Sequence, residues 1–404
     1  MDLSFVFFLA GAIILMGFFG SLSFDRTKIS DILVLLGIGV LLGPGFGLVD
    51  PGGLTNFAEL FGSFALMIIL FEGGMDMDID KLLKEFGSAT LLVVLSFVLS
   101  VAAVAGFLIV VMDWAPLRAT LLGTIMGCTS AAIVIPVVAR MNLKEEIKTM
   151  LSIESAFSDV LAVVATVSLI EFIKLQHIGM KAPFHAVASS FSIAIMGGVL
   201  SGFIWLKVLD IFKDRKYSYM TTLGVMLIVY GSVTFLGGSG PIALLVFGII
   251  MGNSHDFIKF LKLRSCTLMD DTIKFLHGEI TFFVRTFFFV YMGMMISSDI
   301  LRTQFLAISG AVVLVILLMR YFSVSVTAAL FHEKRHDKLV MTAMLPRGLA
   351  SAVLATLPVS ANIRDSEDFI NYTFIVIVLT NIIMTAGVFA SELRTPPVPA
   401  GGAE

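Results

Sequence analysis

Charge is scarce in this chain. Only 14% of its 404 residues are Asp, Glu, Lys or Arg, against about a quarter in a water-soluble domain. That shortfall excludes a protein wetted on all sides. Cysteine is nearly absent too. Cys128 and Cys266 lie far apart without zinc or redox spacing, so neither a disulfide scaffold nor a cysteine metal centre is expected. The formal net charge of −3 implies no nucleic acid or other polyanion as partner. A membrane-embedded enzyme and a resident cofactor are not expected either, the six His being read as lying in links or at helix ends. No Lys or Arg precedes the apolar run from Phe5 to Phe19, and no clear cleavage site follows it. That run reads as a retained first span rather than a removable leader.

What is present is apolar. Hydrophobic residues make up 58% of the chain, with 36 Phe against two Trp, and mean hydropathy is +1.00. A bilayer core takes roughly 20 apolar residues to cross. Such runs occupy 4–21, 30–49, 57–74, 88–112, 117–139, 148–173, 185–209, 219–236, 240–253, 272–296, 303–331, 338–358 and 369–391. They are long and continuous, so an alternating β-barrel is excluded. The expected fold is an all-α polytopic membrane protein of about thirteen spans, with the lipid bilayer as its first partner. Residues 1–391 form the membrane domain and 392–404 a short flexible cytoplasmic tail, with no soluble regulatory domain expected. Alternate links collect the basic residues, among them Arg26, Lys28, Lys81, Lys84, Lys144, Lys148, Lys213, Arg215, Lys216, Lys259, Lys262 and Arg264. The other side holds Arg118, Lys174, Lys181, Arg302 and Arg364. This bias places the N-terminus outside and the C-terminus in the cytoplasm.

Two pairs of segments look alike. Leu70 to Asp78 (LFEGGMDMD) resembles Val290 to Ser298 (VYMGMMISS), and Ile135-Pro-Val-Val-Ala139 resembles Leu357-Pro-Val-Ser-Ala361. Each pair is separated by an odd number of spans, so the copies run in opposite orientation, as in the inverted repeats of secondary transporters. The repeats are expected over roughly 30–173 and 240–391. Gly127-Cys128-Thr129-Ser130 and Pro346-Arg347-Gly348 interrupt corresponding spans with residues that break or loosen a helix. Irregular backbone at that depth is tolerated only against protein or a cavity, which points to an ion site at the crossing of two discontinuous helices.

Buried charges narrow the search, because each is costly in hydrocarbon. They are Glu72, Glu154, Asp159, Arg285, Arg320 and Arg347, with Glu279 nearer a helix end. Glu154 and Asp159 are five residues apart on one helix and point about 140° away from each other, so different jobs are expected of them. Ser155 and Asp159 share a face, as do Glu154 and Ser158. Arg347 is expected to hold unwound carbonyls or repel cations, and Arg285 to pair with Glu72 or Glu279.

Glu154-Ser-Ala-Phe-Ser-Asp159 is similar to the E-S-x-x-N-D run of the monovalent cation/proton antiporters, the NhaP-type sodium/proton exchangers. Arg347-Gly-Leu-Ala-Ser-Ala resembles that family's R-G-x-x-x-A, with Leu70-Phe-Glu72-Gly-Gly, Thr129-Ser130 and Arg320 as supporting pieces. The resemblance implies Asp159 as the carboxylate that binds either proton or cation. It implies Ser155 and Thr129 as further ligands of the monovalent cation, Glu154 paired structurally with Arg320, and Glu72 on the ion route. It also implies a homodimer in the plasma (inner) membrane that exchanges Na⁺ or Li⁺ for H⁺, with K⁺/H⁺ exchange as the alternative and a cation channel as the more distant one. The sequence departs from the family at Ser158, where Asn is usual, and at Ser130, where Asp is usual. With no second adjacent acid, one proton for one cation is the expected stoichiometry.

Overall fold

The computed structural model describes residues 3–27, 31–47, 55–77, 88–141, 143–175, 182–212, 218–255, 257, 271–296, 300, 302–331 and 335–392. Most of the tail expected at 392–404, and Asp78 and Ser298 of the first repeat pair, lie outside them. The described residues form fifteen α-helices and no strand.

In chain order these are α1 (Leu3–Thr27), α2 (Asp31–Val40), α3 (Thr55–Asp76), α4 (Ser88–Met112), α5 (Pro116–Ile125), α6 (Ala131–Arg140), α7 (Glu145–Leu175) and α8 (Ala182–Phe212). They continue with α9 (Ser218–Phe235), α10 (Gly240–Gly252), α11 (Asp271–Met294), α12 (Thr303–Phe331), α13 (Arg335–Ala343), α14 (Leu349–Ser360) and α15 (Phe369–Glu392). Two apolar runs are each split, 117–139 into α5 and α6 and 338–358 into α13 and α14, so the fifteen helices fill the thirteen runs of the sequence. Large side chains such as Phe8, Val110 and Phe235 stand exposed at 74%, 83% and 90%. That much apolar surface facing outward suits hydrocarbon rather than water.

Local chemistry sets the irregular points. Pro44 has no N–H to continue the ladder of α2, and the chain widens into a π-helical turn at Leu41–Gly45. After α5 the residues 126–130 leave the helix, and Ser130 donates its N–H to the carbonyl of Pro346 at 2.9 Å. Pro346 lies in the second unwound stretch, 344–348. The two interruptions therefore meet and hydrogen-bond across the bundle, and backbone polar groups that neither helix satisfies alone are satisfied by the other.

Glycines set two close helix crossings, one the counterpart of the other. A side chain at Gly39 of α2 would strike the Val290 carbonyl and Gly293 of α11, and one at Gly43 would strike Met294. On the other pair, a side chain at Gly248 of α10 would strike the Phe71 carbonyl and Gly74 of α3, and one at Gly252 would strike Met75. Small residues let apolar helices approach until their backbones touch. The matching contacts equate Phe71 with Val290, Gly74 with Gly293 and Met75 with Met294.

This register corrects the sequence reading by one residue, since the alignment of Leu70 with Val290 matched Gly73 rather than Gly74 to Gly293. The second pair is also displaced. Pro136 is the sixth residue of α6 and Pro358 the tenth of α14, one helical turn apart relative to the half-helix starts. Short glycine- and proline-containing strings align readily in sequence, and only the contacts fix their phase.

Candidate functional site

Four half-helix ends converge where the two interrupted spans cross. α5 and α13 arrive with their C-termini, which carry partial negative charge, and α6 and α14 leave with their N-termini, which carry partial positive charge. Arg347, 2% exposed, donates from Nε to the Met126 carbonyl at 2.9 Å and from a terminal guanidinium nitrogen to the Leu345 carbonyl at 2.8 Å. Those carbonyls lie just past α5 and α13, so Arg347 balances both C-termini. Its own backbone is pinned by α15, where Thr380 accepts its N–H at 3.1 Å and the Asn381 amide donates to its carbonyl at 2.9 Å.

Asp159 answers it at the other polarity. Its Oδ2 accepts the N–H of Ala131, the first residue of α6, at 3.2 Å. Its Oδ1 is buried and takes no N–H or O–H donor from the protein, the Cys128 thiol being the weak donor beside the carboxylate. A buried carboxylate with so few strong donors is costly as an anion, so this is where a proton or a cation would be most favourably received.

Glu154, on the other face of α7, is held elsewhere. The Arg320 guanidinium grips it through two bonds, of 2.8 and 3.1 Å. The same side chain donates to the Met341 carbonyl at 3.0 Å and to the Ser96 hydroxyl at 3.3 Å. The pair joins α4, α7, α12 and α13, and both members are out of solvent.

A cavity of about 320 Å³ reaches Asp159 between α3, α6, α7, α11 and α14. Glu72, Asp76, Ser130, Asp159, Thr281 and Arg285 supply its polar and charged lining. The Thr281 hydroxyl donates to Glu72 at 3.2 Å. A second hollow of about 510 Å³ adjoins it, sharing Asp76, Ile135 and Ala156, and its rim carries Glu145 and Lys148 at the start of α7. The two together connect Asp159 to the membrane face on which α7 begins.

Not every candidate faces that space. Ser155 is fully buried and donates to the Ser152 carbonyl at 3.0 Å, and Thr129 is buried at 3%. Neither lines the cavity in this conformation. Ser158 serves the unwound stretch instead, its hydroxyl accepting the Thr129 N–H at 2.9 Å and lying within donor reach of the Thr129 and Ser155 carbonyls. Arg285 lines the cavity with Glu72, whereas Glu279 stands exposed on the same helix.

His277, read from sequence as a solvated end residue, is instead buried in α11 with its ring 5.3 Å from Phe71. Asp76 was missed although it stands four residues after Glu72, the spacing that puts both on one face of α3. The expectation of no membrane-embedded enzyme took the chain to lack an H-E-x-x-H run, yet one stands from His332 to His336. His332, Glu333 and Lys334 lie outside the described residues.

Gly348 keeps the crossing tight, because a side chain there would fall on the Ser130 side chain. Gly348→Ala is expected to lower stability by about 1–3 kcal/mol, the usual cost of overpacking. A melting curve in detergent measures this, and adding Ser130→Gly should restore part of the loss.

The sodium/hydrogen exchanger transmembrane family matches residues 11–390. The chain belongs to that family. Among curated relatives it is 25% identical over 388 residues, 93% of its own length, to a K⁺/H⁺ antiporter NhaP2 of Shewanella oneidensis. It is 25% identical over 346 residues, 82% of the chain and 79% of the relative, to a probable Na⁺/H⁺ antiporter 2 of Methanocaldococcus jannaschii. The chain spans about 65% of the length of the NhaP2 relative. Its fold matches the solved sodium proton antiporter MjNhaP1 of M. jannaschii at a TM-score of 0.79 and 22% identity, covering 98% of this chain and 99% of that one.

Proposed function

We propose that this family member exchanges a monovalent cation for a proton across the membrane, the two competing for Asp159. The observation that carries the reading is the cavity leading from one face to a buried carboxylate that no Lys or Arg pairs with among the described residues. Protonation or cation binding neutralises that carboxylate, and inverted repeats supply two alternative openings. Ser130 lines the cavity beside Asp159, and Thr129 and Ser155 complete the ligand shell once the unwound backbone adjusts. Glu154 and Arg320 serve as a structural pair. With one exchanging carboxylate, each cycle carries one cation against one proton, so exchange is electroneutral.

Sodium is the cation of the first reading. Potassium is the second, favoured by the names of the NhaP2 relatives. The basic residues Lys144 and Lys148 support a cytoplasmic open face by the positive-inside bias, and the proposed working unit is a homodimer.

Reconstituted vesicles test this. Imposed Na⁺, K⁺ or Li⁺ gradients should each be scored by the pH change inside, with the membrane potential clamped at two values. Equal rates at both potentials are expected. A single-ion current driven by potential alone would indicate a channel and sink the proposal. Competition also sets a pH dependence: on the acid side of the optimum, the half-saturating cation concentration should rise about tenfold per pH unit, as one-site mass action requires.

A further inference from the structure

The second interrupted span is supported in the same way as the first. Thr129 lies two residues before α6, and its N–H goes to the Ser158 hydroxyl of α7 at 2.9 Å. Arg347 lies two residues before α14, and its N–H goes to the Thr380 hydroxyl of α15 at 3.1 Å. Each hydroxyl donates in turn to a carbonyl of its own helix, that of Ser155 for Ser158 and that of Val376 for Thr380. These contacts equate Thr129 with Arg347 and Ser158 with Thr380. The residue after each hydroxyl is then Asp159 in one repeat and Asn381 in the other. The first repeat therefore carries its charge on the supporting helix, and the second carries a charge of opposite sign on the unwound backbone.

Opposite charges buried at one crossing ordinarily pair. Asp159 and Arg347 act on one another through space, yet no ion pair joins them among the described residues. Arg347 is held off instead. Its guanidinium is committed to the Met126 and Leu345 carbonyls, and its backbone is clamped on both sides by α15. Asn381 suits the clamp because an amide nitrogen has two hydrogens to give. One goes to the Arg347 carbonyl at 2.9 Å and the other to the Ile377 carbonyl at 2.8 Å. Asn381 is fully buried, and neither it nor Thr380 lines the cavity.

We propose that Asn381 is a positioning residue for exchange: with Thr380 it clamps Arg347, so that this arginine does not swing onto Asp159 and shut out the transported cation. This deepens the exchange reading above and rests on it. An arginine on Asp159 would occupy the carboxylate as Arg320 occupies Glu154. A group tethered at the same crossing competes at high effective concentration, so holding it away matters more than it would for an ion from solution.

The test is a mutant cycle on the whole protein in vesicles, read as the half-saturating concentration of Na⁺, K⁺ and Li⁺. Asn381→Leu removes the donor. Thr380→Val removes the acceptor at nearly constant volume and serves if the leucine variant does not accumulate. Each should raise the half-saturating concentration about two- to tenfold, the population shift that one hydrogen bond supports, with the maximal rate kept at saturating cation. The factor should be equal for the three cations, because a tethered competitor acts on the carboxylate whichever ion arrives. In an Arg347→Gln background the same replacements should add nothing, the competitor being gone. Cation titrations of the melting temperature in detergent should show the same pattern without any transport. A fall in maximal rate at unchanged half-saturation, unequal factors for the three cations, or the same shift with and without Arg347 would each overturn the proposal while leaving exchange at Asp159 standing. Absence of exchange by the unmodified protein would instead remove the reading on which it rests.

Discussion

Asparagine in place of Asp159 is expected to reduce cation/proton exchange to the vesicle background while leaving the protein folded. The two side chains have the same shape, and an amide oxygen still accepts the Ala131 N–H that Oδ2 accepts now. What disappears is the group that takes up a proton or balances a cation beside the cavity. Two measurements check the expectation together: the rate of cation-driven pH change, which should vanish, and the melting temperature, which should stay close to that of the parent. The parent should also be stabilised by its transported cation, and the Asn variant should not, because a ligand stabilises only the fold that binds it. Exchange persisting in Asp159→Asn would overturn the assignment.

The second large effect falls on stability. Glu154→Gln or Arg320→Met would leave a charge buried without its partner, which typically costs 3–5 kcal/mol. Either variant alone is expected to fail to accumulate in the membrane or to melt far below the parent. The double replacement should recover most of the loss, since neutral groups of similar volume leave nothing uncompensated. Arg320→Lys should fall between, because an ammonium cannot grip both carboxylate oxygens and also reach Met341 and Ser96. Yield and thermal unfolding in detergent decide the order. Equal stability of the single and double variants would show that the pair contributes nothing as a pair.

Much of this architecture is legible in the sequence because the bilayer imposes a simple rule on it. Apolar runs of spanning length appear as helices, and the stretches that lack them at membrane depth, 126–130 and 344–348, are those rich in Gly, Pro and small hydroxyl residues. The phase of Glu154 and Asp159 could be read from spacing alone, and the two acids reach different partners, Arg320 and the start of α6. Other features depend on contacts between distant segments, which spacing does not encode. The Ser130 N–H finds the Pro346 carbonyl more than two hundred residues away. The repeat register slipped by one because Gly73 and Gly74 are indistinguishable by type, and only Gly74 faces α10. Asp76 looked like the polar end of a helix, whereas the mouth of the cavity forms around it. Ser155 and Thr129 do not line the cavity in this conformation, the Ser155 hydroxyl donating to the Ser152 carbonyl and Ser158 holding the Thr129 backbone.

The burial of Asp159 has a consequence for efficiency. A carrier runs its two fluxes in fixed ratio only if it seldom returns empty. With Asp159 exchanging, the empty form carries an uncompensated anion inside an apolar slab, and both loaded forms neutralise it. The empty form is therefore the least able to reorient, and slippage, in which one gradient runs down without driving the other, is suppressed at its source. The buried charge itself then keeps the two ions in step.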